Sequence, residues 1–312
     1  MSRRTLRLGT RGSALALWQA NWTKGQLEQR HPEVTVELVP IKTTGDKILD
    51  VPLAKIGGKG LFTKEIDEAL LDSRIDVAVH SMKDVPFQLP SGITFGAIPE
   101  REDPRDAFIS NCPALQALVP GSTIGTSSFR RQIQVRHRFP ALNLVALRGN
   151  VDTRLRRLAA GDFDGIILAM AGLRRLGYEQ RVTQILDDDV MLPAVGQGAL
   201  GIVCRDDDHA TRQVLQVLDH APTRTAVTAE RGLLRALGGS CQVPIGGKAI
   251  LASGRLTIKG LIGNLDGTRI VAHELSGSPD HALELGIKLG ETLMSMGAGE
   301  ILAEIAQYGA ER

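Results

Sequence analysis

The chain has 312 residues, of which 43% are hydrophobic, with 37 lysines and arginines against 35 aspartates and glutamates. That length suits two or three domains and that composition a globular protein with a real core. The net charge of +2 means that any electropositive site comes from local clustering. Three cysteines, Cys112, Cys204 and Cys241, are far apart and odd in number, which excludes a disulfide framework and shows no metal-ligand spacing. MSRRTLRLGTRGS has no signal-peptide core and no apolar run is long enough to span a membrane, so a cytoplasmic location is expected.

Leu6–Leu8 reads as a strand, and Ser13 in the following GTRGS is a good N-cap for a helix over Ala14–Gln29. Val34, Val36 and Leu38 alternate as a strand does. KTTGDK and AKIGGKGLF are polar and glycine-rich and read as a long mobile loop, followed by a helix over Phe62–Ser73. Asp76–Val79 is a short buried strand that runs into HSMKDVP, His80–Pro86. Strand, helix, strand in this rhythm predicts a parallel α/β sheet.

REDPRD, Arg101–Asp106, reads as an inter-domain crossing, after which the pattern restarts. Thr123–Gly125 is a strand, Thr126–Ser128 a cap and FRRQIQVRHR a helix; Leu144–Leu147 is a strand, Arg148–Asn150 a turn, Asp152–Ala160 a helix and Gly165–Ala169 a buried strand. LRLGTRGSALALWQ and STIGTSSFRRQIQ echo each other, which implies two similar domains, each aiming a helix N-terminus at a cleft; such termini bind anions. LPAVGQ, Leu192–Gln197, is a second crossing, and Ala199–Cys204 a strand returning to the first sheet. After Pro222 come a helix over Thr223–Leu237, strands over Arg255–Ile262 and Thr268–Leu275 joined by the hairpin signal GNLDG, and a helix over Asp280–Met296. The expected domains are 1–100 with 198–220, 101–197, and 221–312.

LGGSCQVPIGGK places Cys241 between two glycine pairs, Gly238–Gly239 and Gly246–Gly247. A loop tip is a poor place for a packing residue and a good one for an attachment point. From Arg130 to Arg157 there are eight arginines against one acid, Asp152. Arg136, Arg138, Arg156 and Arg157 read as a solvated face. Arg11, Arg130, Arg131 and Arg148, each directly after a strand and turn, read as bidentate clamps for a carboxylate or phosphate. Lys55, Lys59, Lys83 and Arg174 fall at comparable positions. Aromatic residues make up only 4%, which disfavours nucleic acid, and GGKG lacks the full phosphate-loop spacing. A small polycarboxylate fits spread-out arginines better. Asp84 lies just past the carboxyl end of a central strand, where ligands of open α/β sheets bind. Among these cations it is expected to stay ionised, ready to bind N–H donors or stabilise a cation.

Together, LGTRGSALALWQA, KTTGDK, KIGGKGLFTKE, VAVHSMKDVP, REDPRDAF, IGTSSFRRQ, LRGNVDTRL, AGLRRLG, PAVGQGALGI and GGSCQVPIGG resemble the porphobilinogen deaminase (hydroxymethylbilane synthase) family, in family order over nearly the whole chain. One departure is Gly238-Gly239-Ser240 before the cysteine, where the family has Glu-Gly-Gly or a close variant. The resemblance implies two periplasmic-binding-protein-like (type II) α/β domains plus a smaller C-terminal α+β domain. It implies a monomeric transferase of tetrapyrrole and haem biosynthesis that joins four porphobilinogens head to tail with loss of ammonia, binding neither nucleic acid nor membrane. The chain would be primed by a dipyrromethane cofactor thioether-linked to Cys241. By position, Arg11, Ser13, Ser81, Lys83, Thr126, Ser127, Ser128, Arg130, Arg131, Arg148, Gly149, Arg154, Arg174 and Gln197 match cofactor- and substrate-binding residues. Asp84 matches the catalytic carboxylate, and Lys55, Lys59 and Phe62 a loop over the cleft. The rival reading is a two-lobed, non-catalytic receptor for a small polycarboxylate, which would need export and has no use for Cys241.

Overall fold

The structure, a computed structural model, describes residues 4–47, 62–238 and 243–310. The described chain divides into two compact units, 4–47 with 62–102 and 199–224, and 103–198 with 225–238 and 243–310.

The first unit is built from β1 (Arg4–Thr10), α1 (Ala14–Arg30), β2 (Val34–Pro40), α2 (Thr44–Lys47), α3 (Lys64–Leu71), β3 (Val77–Ser81) and β4 (Ile93–Ala97). The chain returns later as β10 (Leu200–Arg205), α7 (His209–Leu215) and the start of α8 (Ala221–Ala236). The sheet order is β2-β1-β3-β10-β4. β1 runs parallel to β2 and β3, whereas β10 is antiparallel to β3 and β4. Leu6, Leu8, Val77 and Val79 pack with Ala20 and Leu27 of α1; on the opposite face Ala78 packs with Ile66, Ala69 and Leu70 of α3. Burial of both faces by helices is why these strands read as continuous apolar runs.

The second unit repeats the plan with β5 (Asp106–Ser110), β6 (Thr123–Gly125), α4 (Phe129–Arg138), β7 (Asn143–Val145), α5 (Val151–Ala159), β8 (Gly165–Ala169), α6 (Met170–Arg175) and β9 (Gln184–Leu186). Its order is β7-β6-β8-β5-β9, with β5 antiparallel to both neighbours. The two sheets superimpose in connectivity, so β1–α1 and β6–α4 occupy equivalent places, and the sequence echo between them reflects a shared design. This is the plan of two type II periplasmic-binding-protein-like domains. The same unit carries the rest of α8, a three-stranded antiparallel sheet of β11 (Ile245–Ala252), β12 (Arg255–Gly263) and β13 (Ile270–Gly277), then α9 (Ala282–Leu293) and α10 (Gly299–Ala310). α8 and α9 approach so closely that a Cβ on Gly286 would lie 1.9 Å from the Ala229 carbonyl oxygen.

Two expectations are corrected. The first sheet is mixed, not parallel, because β10 arrives by a long crossing and is free of the handed crossover that aligns βαβ strands. The glycine pair Gly246–Gly247 lies inside β11. It is small because the Leu192–Val195 segment and Leu233 press on that strand. The predicted helix Asp280–Met296 is met by α9 and the wider helical turn over Met294–Ala298 that continues it, and the chain leaves the helical conformation just past its expected end, at Gly297 with a φ of 107°.

Candidate active site

The first unit's cleft opens at the carboxyl end of β3, the central strand. Ser81 ends that strand, and Met82–Asp84 form one 3-10 turn that lifts Asp84 to the rim. Arg11, Ser13, Gln19, Phe62, Thr63, His80, Ser81 and Asp84 all line this cleft. Ser13 caps α1, its hydroxyl accepting from the Ala16 amide at 3.3 Å. Gln19, which sequence reasoning passed over, donates to Ser81 Oγ at 2.8 Å and ties α1 to the strand end. The Arg11 guanidinium lies 4.2 Å from the centre of the Phe62 ring, a cation–π contact. His80 was also missed, although an imidazole in the apolar run VAVHS is itself a signal. Burial, and then the charge of Arg11, push its pKa down to about 4, so the ring is neutral at physiological pH. Lys83 sits half-buried in the turn just before Asp84.

In the second unit Thr126, Ser127 and Ser128 lead into α4. Ser127 Oγ donates to the Leu147 carbonyl at 3.0 Å; Ser128 stands at the N-cap without capping through its side chain. Arg130 and Arg131 are buried, and both guanidinium groups meet Asp106 at the start of β5, at 2.6 and 2.7 Å. Gln197 donates to the same carboxylate at 3.0 Å and to the Pro104 carbonyl at 2.7 Å. Burial alone would raise the Asp106 pKa, but the two arginine charges outweigh it and hold the carboxyl far below its ordinary value. The expected pair of anion clamps thus already grips a carboxylate of its own chain, leaving the cluster with one net positive charge. The signal for Asp106 was an acid at the head of an apolar strand in REDPRDAF.

Arg148 differs. It is half-buried, burial holds its pKa below the usual value, and no carboxylate pairs with it among the described residues. It precedes Gly149, whose φ of 103° only glycine adopts readily, and Asn150 then caps α5 by accepting from the Thr153 amide. Arg154 Nε donates to the Gly149 carbonyl at 2.8 Å, and Arg174 lies against Glu179 and Asp103 at 2.9 and 3.7 Å. Of the arginines read as a solvated face, Arg136 donates instead to the Leu265 carbonyl in the β12–β13 turn, and Arg138 to the Asp189 carbonyl at 2.5 Å.

Lys55, Lys59 and Cys241 lie outside the described residues. Gly238 closes α8 with a φ of 60°, and β11 is held by Glu230 of α8, which is fully buried. Glu230 accepts from the amides of Gly196 and Ala249 at 2.6 and 2.8 Å, so one carboxylate ties the Leu192–Gly198 segment to the strand that follows the cysteine.

Residues 6–213 match the family model described as porphobilinogen deaminase, dipyromethane cofactor binding domain, and residues 224–295 that of the porphobilinogen deaminase C-terminal domain. A curated porphobilinogen deaminase of Geobacter sulfurreducens is 53% identical over 312 residues, covering 100% of this chain and 98% of that protein. One of Trichlorobacter lovleyi is 52% identical over 307 residues, covering 98% of each. A solved BenM effector-binding domain with its effector benzoate matches 69% of this chain and 90% of its own, at 16% identity and a TM-score of 0.43. The fold stands on strand order rather than on that likeness. The relatives are enzymes, which removes the receptor alternative, and their match runs through both sheets and the C-terminal sheet alike. The chain belongs to the porphobilinogen deaminase family.

Proposed function

We propose that Asp84 is the catalytic carboxylate of this porphobilinogen deaminase, carried by its place in one cleft with Arg11, Phe62, Ser81 and a neutral His80. The enzyme condenses four porphobilinogens head to tail with loss of ammonia and binds a dipyrromethane cofactor. The residues present fit that group: each of its pyrroles bears an acetate and a propionate, and Arg148 stands half-buried with no carboxylate partner among the described residues. When bound, the dipyrromethane supplies the free pyrrole carbon from which the chain grows.

Loss of ammonia leaves a cation on the porphobilinogen ring. A carboxylate fixed at the rim of β3 lowers the barrier by charge placed before the reaction begins. Arg11, Ser13, Ser81 and Lys83 on the first unit bind substrate and chain carboxylates or orient the ring. Thr126, Ser127, Ser128, Arg130, Arg131, Arg148, Gly149, Arg154, Arg174 and Gln197 do so on the second. Phe62 lines the cleft, and Lys55 and Lys59 bind substrate or chain carboxylates. Cys241 is the attachment point. Burial of Cys204, which pushes its thiol pKa up to about 11, supports this by making that sulfur a poor nucleophile. We take the chain as three domains, 1–100 with 198–220, 101–197 and 221–312, and the enzyme as a cytoplasmic monomer of 33.5 kDa with no nucleic-acid partner.

The test is Asp84→Asn, loaded with cofactor and checked by intact mass and peptide mapping to Cys241. The expected result is a dipyrromethane on Cys241 and essentially no turnover, with Asp84→Glu weakly active because one methylene misplaces the charge. A fully loaded Asp84→Asn turning over near the wild-type rate overturns the catalytic role. An adduct on Cys112 or Cys204 overturns the attachment.

A further inference from the structure

Gln19 lies on the second turn of α1 and is 3% exposed, yet it borders the Asp84 cleft. Ala20 and Thr23 on the same face of α1 are fully buried, so the helix cannot turn the amide away. Its Nε2 donates to Ser81 Oγ at 2.8 Å, where β3 ends. Ser81 has another use for that oxygen. It stands at the N-cap of the Met82–Asp84 turn with the extended backbone an N-cap takes, φ −65° and ψ 122°, but its side chain makes no capping bond. Serine at such a position ordinarily turns its oxygen onto the amides that follow. Here the oxygen accepts from Gln19 instead. A hydroxyl has one hydrogen, and it cannot point at the nitrogen that donates to the same oxygen. Among the described residues no acceptor takes it, Asp84 included. Ser81 is half-buried and lines the cleft, so that hydrogen can meet a ligand there.

We infer that Gln19 is a positioning residue for substrate binding: it holds Ser81 as a hydrogen-bond donor aimed into the cleft, where the hydroxyl meets one acid arm of the incoming pyrrole. The inference rests on the reading of this cleft as the porphobilinogen site. Porphobilinogen carries an acetate and a propionate, and the Arg11 guanidinium of the same cleft offers the charge that draws them. Charge alone does not decide which arm lands where; a donor of fixed direction does. A serine left to rotate presents either its lone pairs or its hydrogen, and lone pairs facing a carboxylate repel it. With Gln19 donating, one lone pair is taken and the hydrogen is left for the ligand. Amide, hydroxyl and carboxylate then form one chain of hydrogen bonds running in a single direction, and such chains strengthen one another. A pyrrole without the matching arm leaves the hydroxyl unpaired and is bound less well. Gln19 acts through Ser81, from a helix whose place is fixed by the core beneath it.

The test measures binding of a pyrrole that keeps both acid arms and carries hydrogen in place of the aminomethyl group, so that it cannot lose ammonia. Titrated into the cofactor-loaded enzyme by calorimetry, it is expected to saturate. Gln19→Met keeps the chain length and removes the donor, and should weaken binding about three- to tenfold. Ser81→Ala removes a hydrogen bond to a charged group and should weaken it roughly ten- to a hundredfold. The double variant should bind no worse than Ser81→Ala alone, because the glutamine acts only through the serine. A merely structural role for Gln19 makes the two losses multiply. Two further pyrroles, each lacking one acid arm, give a second readout: only the one that keeps the arm met by the hydroxyl should respond to Ser81→Ala. Multiplying losses in folded variants, or equal responses of the two one-armed pyrroles, overturn the inference. If Gln19→Met does not fold, the one-armed pyrroles with Ser81→Ala decide. Binding needs no turnover, so the result is independent of whether Asp84 proves catalytic. A wild type that fails to bind the two-armed pyrrole overturns the reading of the cleft itself, which keeps the two failures apart.

Discussion

Arg131 and Arg148 look alike in sequence, each an arginine after a strand and a turn, and the structure gives them opposite surroundings. Arg131 donates to Asp106 through two nitrogens, at 3.1 and 2.7 Å, and to the Ile167 carbonyl at 2.7 Å. Removing one partner of a buried ion cluster costs about 3–5 kcal/mol, because an uncompensated charge is left behind. Arg131→Leu is therefore expected to lose activity through loss of stability, visible as a lowered denaturant midpoint. Arg148→Leu breaks no ion pair among the described residues. It should keep the wild-type midpoint and lose cofactor loading, read by intact mass. Equal midpoints for the two variants would contradict the difference in their surroundings.

Among the elements, β11 carries the heaviest constraint, since it follows the cysteine directly and lies against the chain's second crossing. The Gly247 amide donates to the Pro193 carbonyl at 2.9 Å. A Cβ on that residue would meet Leu233 Cδ2 and Val195 Cγ2, each at 2.9 Å. The leucine can turn a little but the β-branched valine is stiff, and both belong to a packed core, where overfilling costs about 1–3 kcal/mol. Gly247→Ala should lower the unfolding free energy by that amount, seen as a lower urea midpoint, whereas Gly254→Ala, at a turn with open space and a φ of 73°, reports backbone strain alone. Wild-type stability in Gly247→Ala would show that the strand is free to move off the crossing. The two glycine pairs around Cys241 were legible as a feature of the sequence. That the second pair serves packing was not, because the segment it makes room for is some fifty residues earlier in the chain.

Across the molecule as a whole, two buried groups oppose each other in their response to acid. The folded pKa of His80, about 4, lies below the 6.5 of a free imidazole. The unfolded chain thus binds more protons between those values, and stability falls as pH drops through that window. The folded pKa of Asp67, about 6, lies above 3.8, so the folded chain binds more protons there and stability rises as pH drops. Each effect is at most on the order of 3 kcal/mol, and over their shared range they nearly cancel. Asp67→Asn removes one of them. The variant should be more stable than wild type above pH 6, converge with it below about pH 4, and lose stability on acidification where wild type stays level. Urea midpoints at neutral and mildly acidic pH decide it, and parallel pH dependences would rule it out. Below that range the depressed carboxyls of Asp76, Asp103, Asp106 and Asp208 protonate, and both proteins lose stability together.

Sequence alone determined what is local or repeated. Helix and strand periods placed α1, β6, α4 and β8 nearly to the residue, and the echo between Leu6–Gln19 and Ser122–Gln134 foretold two sheets of one design. Motifs in fixed order were enough for the family, because HSMKDVP and its companions each combine a strand end with the charges that follow it. Tertiary structure alone decided the direction of β10 and β5, since a strand delivered by a long crossing has no local reason to run either way. It also decided which arginines meet a carboxylate of the chain. Asp106 lies 24 residues from Arg130, and nothing in the spacing says that folding will bring them together in the dark of the core. His80 and Thr63 are the same lesson in reverse. Their types and positions were plain in the sequence, but only the fold decides that His80 Nε2 and Thr63 Oγ1 are buried and meet no partner of normal hydrogen-bond geometry among the described residues.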